Sequence, residues 1–262
     1  MWVRDGRALY RDAFRRGYAL PAFNIASLEM AQACVRAAER LGAPVILQTY
    51  REEIRRVAPR VFAAMVQALA EGASVPVLLH LDHGEDWGDI FLALRAGYGS
   101  VMWDAQGQGE EAVEAVRAHA PLVHAMGAAL EVAVEPFAGQ AVSDPGLVAA
   151  LIQAGADVVA VAVGSKHGEE SRLDLGLLRR IAQEAKGPLA LHGGSGIHAG
   201  DLREALAMGV VKVNVGTALY RTLRSLLGRG YDHHRTFYRQ VEEELERVAQ
   251  EYIRRTQAEG RA

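Results

Sequence analysis

The chain has 262 residues, half of them hydrophobic, a formal net charge of −3 and a sequence pI of about 6.3. No basic tract stands out, so nucleic acid is not an expected partner. The longest apolar runs are strand-length, far below the roughly 20 residues a membrane helix needs. The first residues, Met1-Trp2-Val3-Arg4-Asp5, lack the charged-then-apolar pattern of a signal peptide. The single cysteine, Cys34, excludes an internal disulfide; it lies in a helical pattern and reads as core packing. A cytoplasmic protein without a membrane partner is the expectation.

In chain order the pattern is strand then helix, repeated. Leu20 to Ile25 reads as a first strand, and Ser27 caps a helix to Leu41. Pro44 to Tyr50 is a strand, Pro59 to Gly72 a helix with Val61, Met65 and Leu69 at helical spacing. The pairs continue: Val75 to Leu81 with Trp87 to Ala96; Ser100 to Asp104 with Glu110 to Met126; Ala128 to Val134 with Pro145 to Ala154. Then come Val158 to Val163 with Leu173 to Ala185, Pro188 to Leu191 with about Ala199 to Met208, and Val210 to Val215 with Ala218 to Leu227. Eight such units predict a single α/β domain over residues 1–262, a (β/α)₈ TIM barrel spanning about 18–228. The strands are continuously apolar, as parallel strands covered by helices should be. A charged helix from about Asp232 to Gln257, with Asp232 as N-cap, lies outside the barrel. Its stripe Tyr238, Val241, Leu245, Val248 and Tyr252 needs a partner surface, either the protein's own barrel or another subunit.

In such a barrel the working residues project from the C-terminal strand ends. Here those ends carry Asn24, Gln48, Thr49, Tyr50, Asp82, His83, Asp104, Glu131, Glu135, Lys166, His167, His192, Ser195, Asn214 and Thr217. Three imidazoles from three strand ends, His83, His167 and His192, can bind Zn²⁺ and leave a fourth position open; another divalent ion such as Co²⁺ would also suit them. His80 shares strand parity with Asp82, not with His83, and reads as buried support. His119, His124, His198 and the Asp232-His233-His234 cluster fit surface roles. Gly193-Gly194-Ser195-Gly196 and Asn214-Val215-Gly216-Thr217 follow the last two strands, where barrels bind phosphate through backbone N–H groups and a helix N-terminus.

With Ala22-Phe23-Asn24, Pro44-Val45-Ile46-Leu47-Gln48, His80-Leu81-Asp82-His83-Gly84, Ser100-Val101-Met102-Trp103-Asp104, Gly164-Ser165-Lys166-His167-Gly168, Leu191-His192-Gly193-Gly194-Ser195-Gly196-Ile197 and Lys212-Val213-Asn214-Val215-Gly216-Thr217 in that order, the chain resembles the class II, metal-dependent aldolases of fructose and tagatose 1,6-bisphosphate. The resemblance implies zinc on His83, His167 and His192, and Asp82 as the acid or base at the reacting carbon. It implies Asn214 holding an ene-diolate stabilised by the metal, and Asn24, Gly168, Gly193, Ser195, Asn214 and Thr217 lining the substrate and phosphate site. The implied reaction is reversible aldol cleavage of a phosphorylated ketose to dihydroxyacetone phosphate and an aldehyde, by a homo-oligomer (dimer or tetramer). Zinc then acts as Lewis acid, the carboxylate moves a proton and bound phosphate holds the reacting carbons in place.

The chain departs from that family around the pocket. Tyr50-Arg51-Glu52-Glu53 stands where a small Ser-Glu-Gly turn is usual, and Gln106 replaces a serine. Ala133 replaces the second acid of a Glu-x-Glu pair whose first member is Glu131. The lid that carries a glutamate in the family shrinks to Pro136 through Asp144, with Glu135 as its nearest substitute. Glu169 and Glu170 follow Gly168 close to the expected phosphate, and Gly216 replaces a polar residue. These changes point to a substrate with fewer phosphates or to a different aldol donor. Two other readings compete: a Schiff-base enzyme using Lys166, or Lys212 in the last strand, and a binding protein that keeps metal and sugar phosphate but has lost catalysis.

Overall fold

The computed structural model describes residues 1–105, 109–133, 142–166 and 168–262. Its elements are β1 (Trp2–Val3), α1 (Arg7–Arg16), β2 (Leu20–Asn24), α2 (Leu28–Leu41), β3 (Val45–Tyr50), α3 (Arg51–Arg56) and α4 (Pro59–Gly72). They continue through β4 (Val77–Gly84), α5 (Trp87–Ala96), β5 (Ser100–Asp104), α6 (Glu110–Ala125), β6 (Ala129–Ala133) and α7 (Pro145–Ala154). Then come β7 (Val158–Ala160), α8 (Leu175–Ala185), β8 (Leu189–Leu191), a 3₁₀ turn (Gly194–Gly196), α9 (Ala199–Leu206), β9 (Val210–Val215), α10 (Thr217–Leu227) and α11 (His234–Arg255).

Strands β2 to β9 pair in sequence order, all parallel, and β9 returns to β2, closing an eight-stranded barrel ringed by helices. The barrel follows from the chain's strand–helix alternation, because parallel neighbours need a crossover helix. Local chemistry sets the ends. Ser27 accepts a hydrogen bond from the Met30 amide and opens α2, while Asp86, Asp144 and Asp174 do the same for α5, α7 and α8.

Three elements escape the sequence reading. β1 adds beside the start of β4, pairing with Val77 and Leu78 below the point where β5 joins at His80. α1 follows it and buries Tyr10 and Ala13 under the barrel. α3 begins directly at the end of β3, so Tyr50 is both its N-cap and the last residue of the strand.

The last helix starts two residues later than Asp232: His233, not Asp232, caps α11, its Nδ1 accepting from the Arg235 amide at 3.1 Å. The apolar stripe packs on the protein's own α2 and α10, with Val241, Leu245, Ala249, Tyr252 and Ile253 buried. Each large apolar side chain so covered contributes about 1.5–3 kcal/mol. Tyr252 also donates to the Ser195 carbonyl at 2.8 Å, tying α11 to the loop after β8; Tyr238 remains 45% exposed. Among the described residues no helix is long and apolar enough to cross a membrane.

Candidate active site

The site is built on β4. This strand runs to Gly84, three residues beyond its sequence-predicted end, and the pairing with β5 shifts register between Leu81 and Gly84. Within that irregularity His83 takes a left-handed backbone, φ 58°, a conformation a non-glycine residue adopts at a cost of order 1–3 kcal/mol and mostly at functional positions. A bulge of this kind re-aims a side chain. It lets Asp82 and His83, adjacent in sequence, both serve the barrel mouth despite the strict alternation of a regular strand.

Asp82 is buried and held on both oxygens. Its Oδ2 accepts from Asn24 Nδ2 at 2.8 Å and Gln48 Nε2 at 3.1 Å, and its Oδ1 accepts from Asn214 Nδ2 at 3.0 Å. Burial alone would raise its pKa. The nearby His83, His192 and Lys212, with the Asn24 hydrogen bond, outweigh burial and leave it below the usual carboxylate range. The Oδ1 of Asn214 is buried and has no hydrogen-bond partner among the described residues, so it can accept from a ligand hydroxyl.

His83 and His192 face each other, His83 Nε2 lying 3.2 Å from His192 Nδ1. Each ring turns its other nitrogen to a carboxylate: His83 Nδ1 to Asp104 Oδ2 at 3.0 Å, His192 Nε2 to Glu131 Oε1 at 3.0 Å. Asp82 Oδ1 lies 3.9 Å from His83 Nε2. When each carboxylate accepts the N–H of its imidazole, both facing nitrogens are acceptors, which is the tautomer that metal ligation requires. A divalent cation satisfies that arrangement, and carboxylate-backed histidines are its usual ligands. One donor atom from each of Asp82, His83 and His192 fits within 4.8 Å of the others, so these residues can hold a metal ion. The third imidazole proposed from sequence, His167, and the substitute acid Glu135 lie outside the described residues, as does Gln106. Burial alone would lower the His83 pKa, but the Asp82 and Asp104 carboxylates raise it overall.

Beneath the imidazoles runs a buried polar chain. Glu131 Oε2 pairs with Lys212 Nζ at 2.8 Å, and His80 Nε2 stands 3.6 Å from the same oxygen. His80 Nδ1 is 2.8 Å from Ser100 Oγ, which is 3.0 Å from the Tyr10 hydroxyl on α1. His80 is therefore buried support, as its parity predicts. Burial first, then Lys212, hold it far below the usual imidazole pKa, so it stays neutral. Sequence reasoning listed Gln48, Asp104 and Glu131 at strand ends without giving them roles, and weighed Lys212 only as a nucleophile. The available signal was position: a carboxylate or ammonium in the middle of an apolar strand must find its opposite charge inside.

The loops after β7, β8 and β9 form the other wall. Gly193 adopts φ 68°, and a Cβ on Gly194 would lie 2.4 Å from Val213 Cγ1 and 2.7 Å from the Asn214 carbonyl. Only glycines allow this turn to lie against β9. Ser195 Oγ accepts from the Ala218 amide at 3.1 Å in the first turn of α10. Gly168 sits against Thr217, and its carbonyl accepts from Arg221. The predicted phosphate residues Gly168, Gly193, Ser195 and Thr217 thus gather at one helix N-terminus. A cleft of about 490 Å³ joins this wall to the imidazoles and is lined by Asn24, Asp82, His83, Gly193, Ser195, Asn214, Gly216 and Thr217. Tyr50, Glu53 and Tyr220 also line it; the last two were not singled out from sequence.

Lys166 is well exposed at the rim and 3.9 Å from Glu169, while Lys212 is buried against Glu131. Neither is a desolvated, unpaired amine of the kind a Schiff-base mechanism requires.

A closed parallel barrel with a carboxylate-backed histidine pair and glycine-rich turns at its C-terminal face has the architecture of a metal-dependent enzyme of the TIM-barrel class. The family description Fructose-bisphosphate aldolase class-II matches residues 4–261, and the chain belongs to that family. It is a lyase, and the family is metal-dependent. The chain is 32% identical to the fructose-bisphosphate aldolase of Thermus caldophilus, with 85% of each chain covered. It is 27% identical to the sulfofructosephosphate aldolase of Alkalicoccus urumqiensis, covering 82% of this chain and 80% of that one. The crystal structure of the YdjI aldolase from Escherichia coli K12 superposes with a TM-score of 0.90 at 28% identity over the whole of both chains.

Proposed function

We propose that the protein is a zinc-dependent aldolase that reversibly cleaves a phosphorylated ketose to dihydroxyacetone phosphate and an aldehyde. The observation that carries this reading is the pair His83 Nε2 and His192 Nδ1, 3.2 Å apart, each backed by a carboxylate and both beside the clamped carboxylate of Asp82. His83, His192 and His167 would hold the ion, which supplies Lewis acidity to the substrate carbonyl.

Asp82 would move the proton. In cleavage the C3–C4 bond breaks, the C4 hydroxyl proton passes to a base, and the bonding electrons stay with the dihydroxyacetone phosphate fragment, which is then protonated at C3. Amide donors Asn24, Gln48 and Asn214 lock the Asp82 carboxylate in one rotamer, so it is ionised and preoriented before substrate arrives. Asn214 presents its remaining acceptor to a substrate hydroxyl. Gly168, Gly193, Ser195 and Thr217 would bind the phosphate with backbone N–H and hydroxyl donors at the N-terminus of α10, fixing the reacting carbons relative to Asp82.

The test is release of dihydroxyacetone phosphate from a panel of ketose phosphates, with and without a chelator. Chelator-sensitive release that resists borohydride supports the reading. Release that survives chelation and is trapped by borohydride contradicts it.

A further inference from the structure

The cleft is asymmetric in charge. On the side of β8, β9 and α10, glycine turns, Ser195 and Thr217 face it, and Arg221 stands beside Gly168. Two strands further round the barrel, the cleft is walled by Tyr50 and Glu53, with Tyr220 of α10 lining it between the two sides. The Oε2 of Glu53 is buried and has no hydrogen-bond partner among the described residues. Burial raises the Glu53 pKa, with Glu52 adding to it, while the amides of Glu53 and Tyr50 and the Arg56 charge pull the other way. Tyr50 sets its ring edge-on to His83, centroids 5.2 Å apart, so this wall lies directly beside the metal-competent nitrogens. None of the described residues lining the cleft is lysine or arginine, and residues 106–108, 134–141 and 167 contain neither. Two arginines of α3 are paired around the rim, Arg51 with Glu85 and Glu52 and Arg55 with Asp89, while Arg56 is exposed, rests on the Ala26 carbonyl at 3.4 Å and does not line the cleft.

We propose that Glu53 is a specificity residue, and that the cleft takes a ketose carrying a single phosphate, whose aldehyde portion ends in an unphosphorylated hydroxyl held against Glu53 and Tyr50. This rests on the aldolase reading above and refines its substrate. The physical reason is selection by repulsion as well as attraction. A second phosphate at this wall meets a like charge with no cation among the described lining residues, whereas a hydroxyl can donate to the Glu53 carboxylate. Among the described residues that line the cleft the phosphate wall has no acid; Glu169 and Glu170, next to Gly168, do not line it, and Glu169 lies 3.9 Å from Lys166.

The experiment runs the reaction in the condensation direction with the zinc-loaded protein. Dihydroxyacetone phosphate is offered with glyceraldehyde or with glyceraldehyde 3-phosphate, and kcat/KM is measured for each aldehyde. The wild type should favour glyceraldehyde by about tenfold or more, and Glu53→Gln should shrink that ratio by about tenfold, mainly through a lower KM for the phosphorylated aldehyde. A merely structural role for Glu53 would depress both aldehydes alike and leave the ratio in place. A wild type that prefers glyceraldehyde 3-phosphate overturns the proposal without any variant. An unchanged ratio in Glu53→Gln also overturns it, while condensation with both aldehydes upholds the aldolase reading. No condensation with either aldehyde overturns that reading and this inference together.

Discussion

Replacing Lys212 by methionine isolates the buried chain beneath the imidazoles. Lys212 and Glu131 are both fully buried and 2.8 Å apart, and the other Glu131 oxygen is 3.0 Å from His192. Methionine preserves the apolar stem but strands the Glu131 charge in the barrel. Removing one partner of a buried pair costs about 3–5 kcal/mol, which at about 2–4 °C per kcal/mol for a chain near this size is a fall of roughly 6–20 °C in Tm. Among the described residues Glu131 then has only His192 and the neutral His80 beside it, so His192 is pulled from the geometry a metal needs. Loss of such an outer partner lowers metal affinity by about 10–100-fold. Calorimetry of the metal-free protein gives the first number, and competition with a zinc indicator gives the second. The double variant Lys212→Met, Glu131→Gln should regain much of the stability, since no charge is stranded, yet keep the weakened zinc binding. A single variant as stable as wild type, with unchanged zinc affinity, would refute the reasoning.

Three further outcomes follow from the geometry. Asp82→Asn should lower kcat by about 10²–10⁴ while the protein still takes up zinc; a variant with full turnover would remove Asp82 from the proton transfer. Gly194→Ala forces a methyl group against Val213 and the Asn214 carbonyl, so it should cost about 1–3 kcal/mol and raise KM for dihydroxyacetone phosphate, read from unfolding curves and steady-state kinetics. Cys34 is fully buried and burial pushes its thiol up, so a thiol reagent at pH 8 should modify it only at the rate of unfolding; rapid reaction in the native protein would contradict its core position.

The barrel was legible because its signal is periodic. Eight apolar runs each end at a polar cluster, and several element bounds, among them Pro59–Gly72, Trp87–Ala96 and Val210–Val215, coincide with the sequence reading. β1 escaped because two residues carry no period, and α3 because Arg51-Glu52-Glu53-Ile54-Arg55-Arg56 has a single buried position. Asp82, His83 and His192 were legible one at a time, as polar residues closing apolar strands. Their supports were not, because a hydrogen bond from Asn24 or Asn214 to Asp82 joins residues 58 or 132 positions apart, and pairing across a barrel leaves no local pattern. The left-handed backbone of His83 comes from the β4–β5 register shift, again a property of two strands and not of one. Glu53 was visible only as a departure from the family's turn. Its meaning depends on the cleft that α3 and α10 close around it.

The metal itself is the most direct test. Protein purified without added metal and then titrated with zinc should bind about one ion per chain by elemental analysis, and Asp82→Ala should bind it as well. His83→Ala and His192→Ala should each lose nearly all of it, and activity should return to the chelated wild type in proportion to zinc restored. A wild type that binds no divalent ion, or a His192→Ala variant that binds it undiminished, would contradict the account at its centre.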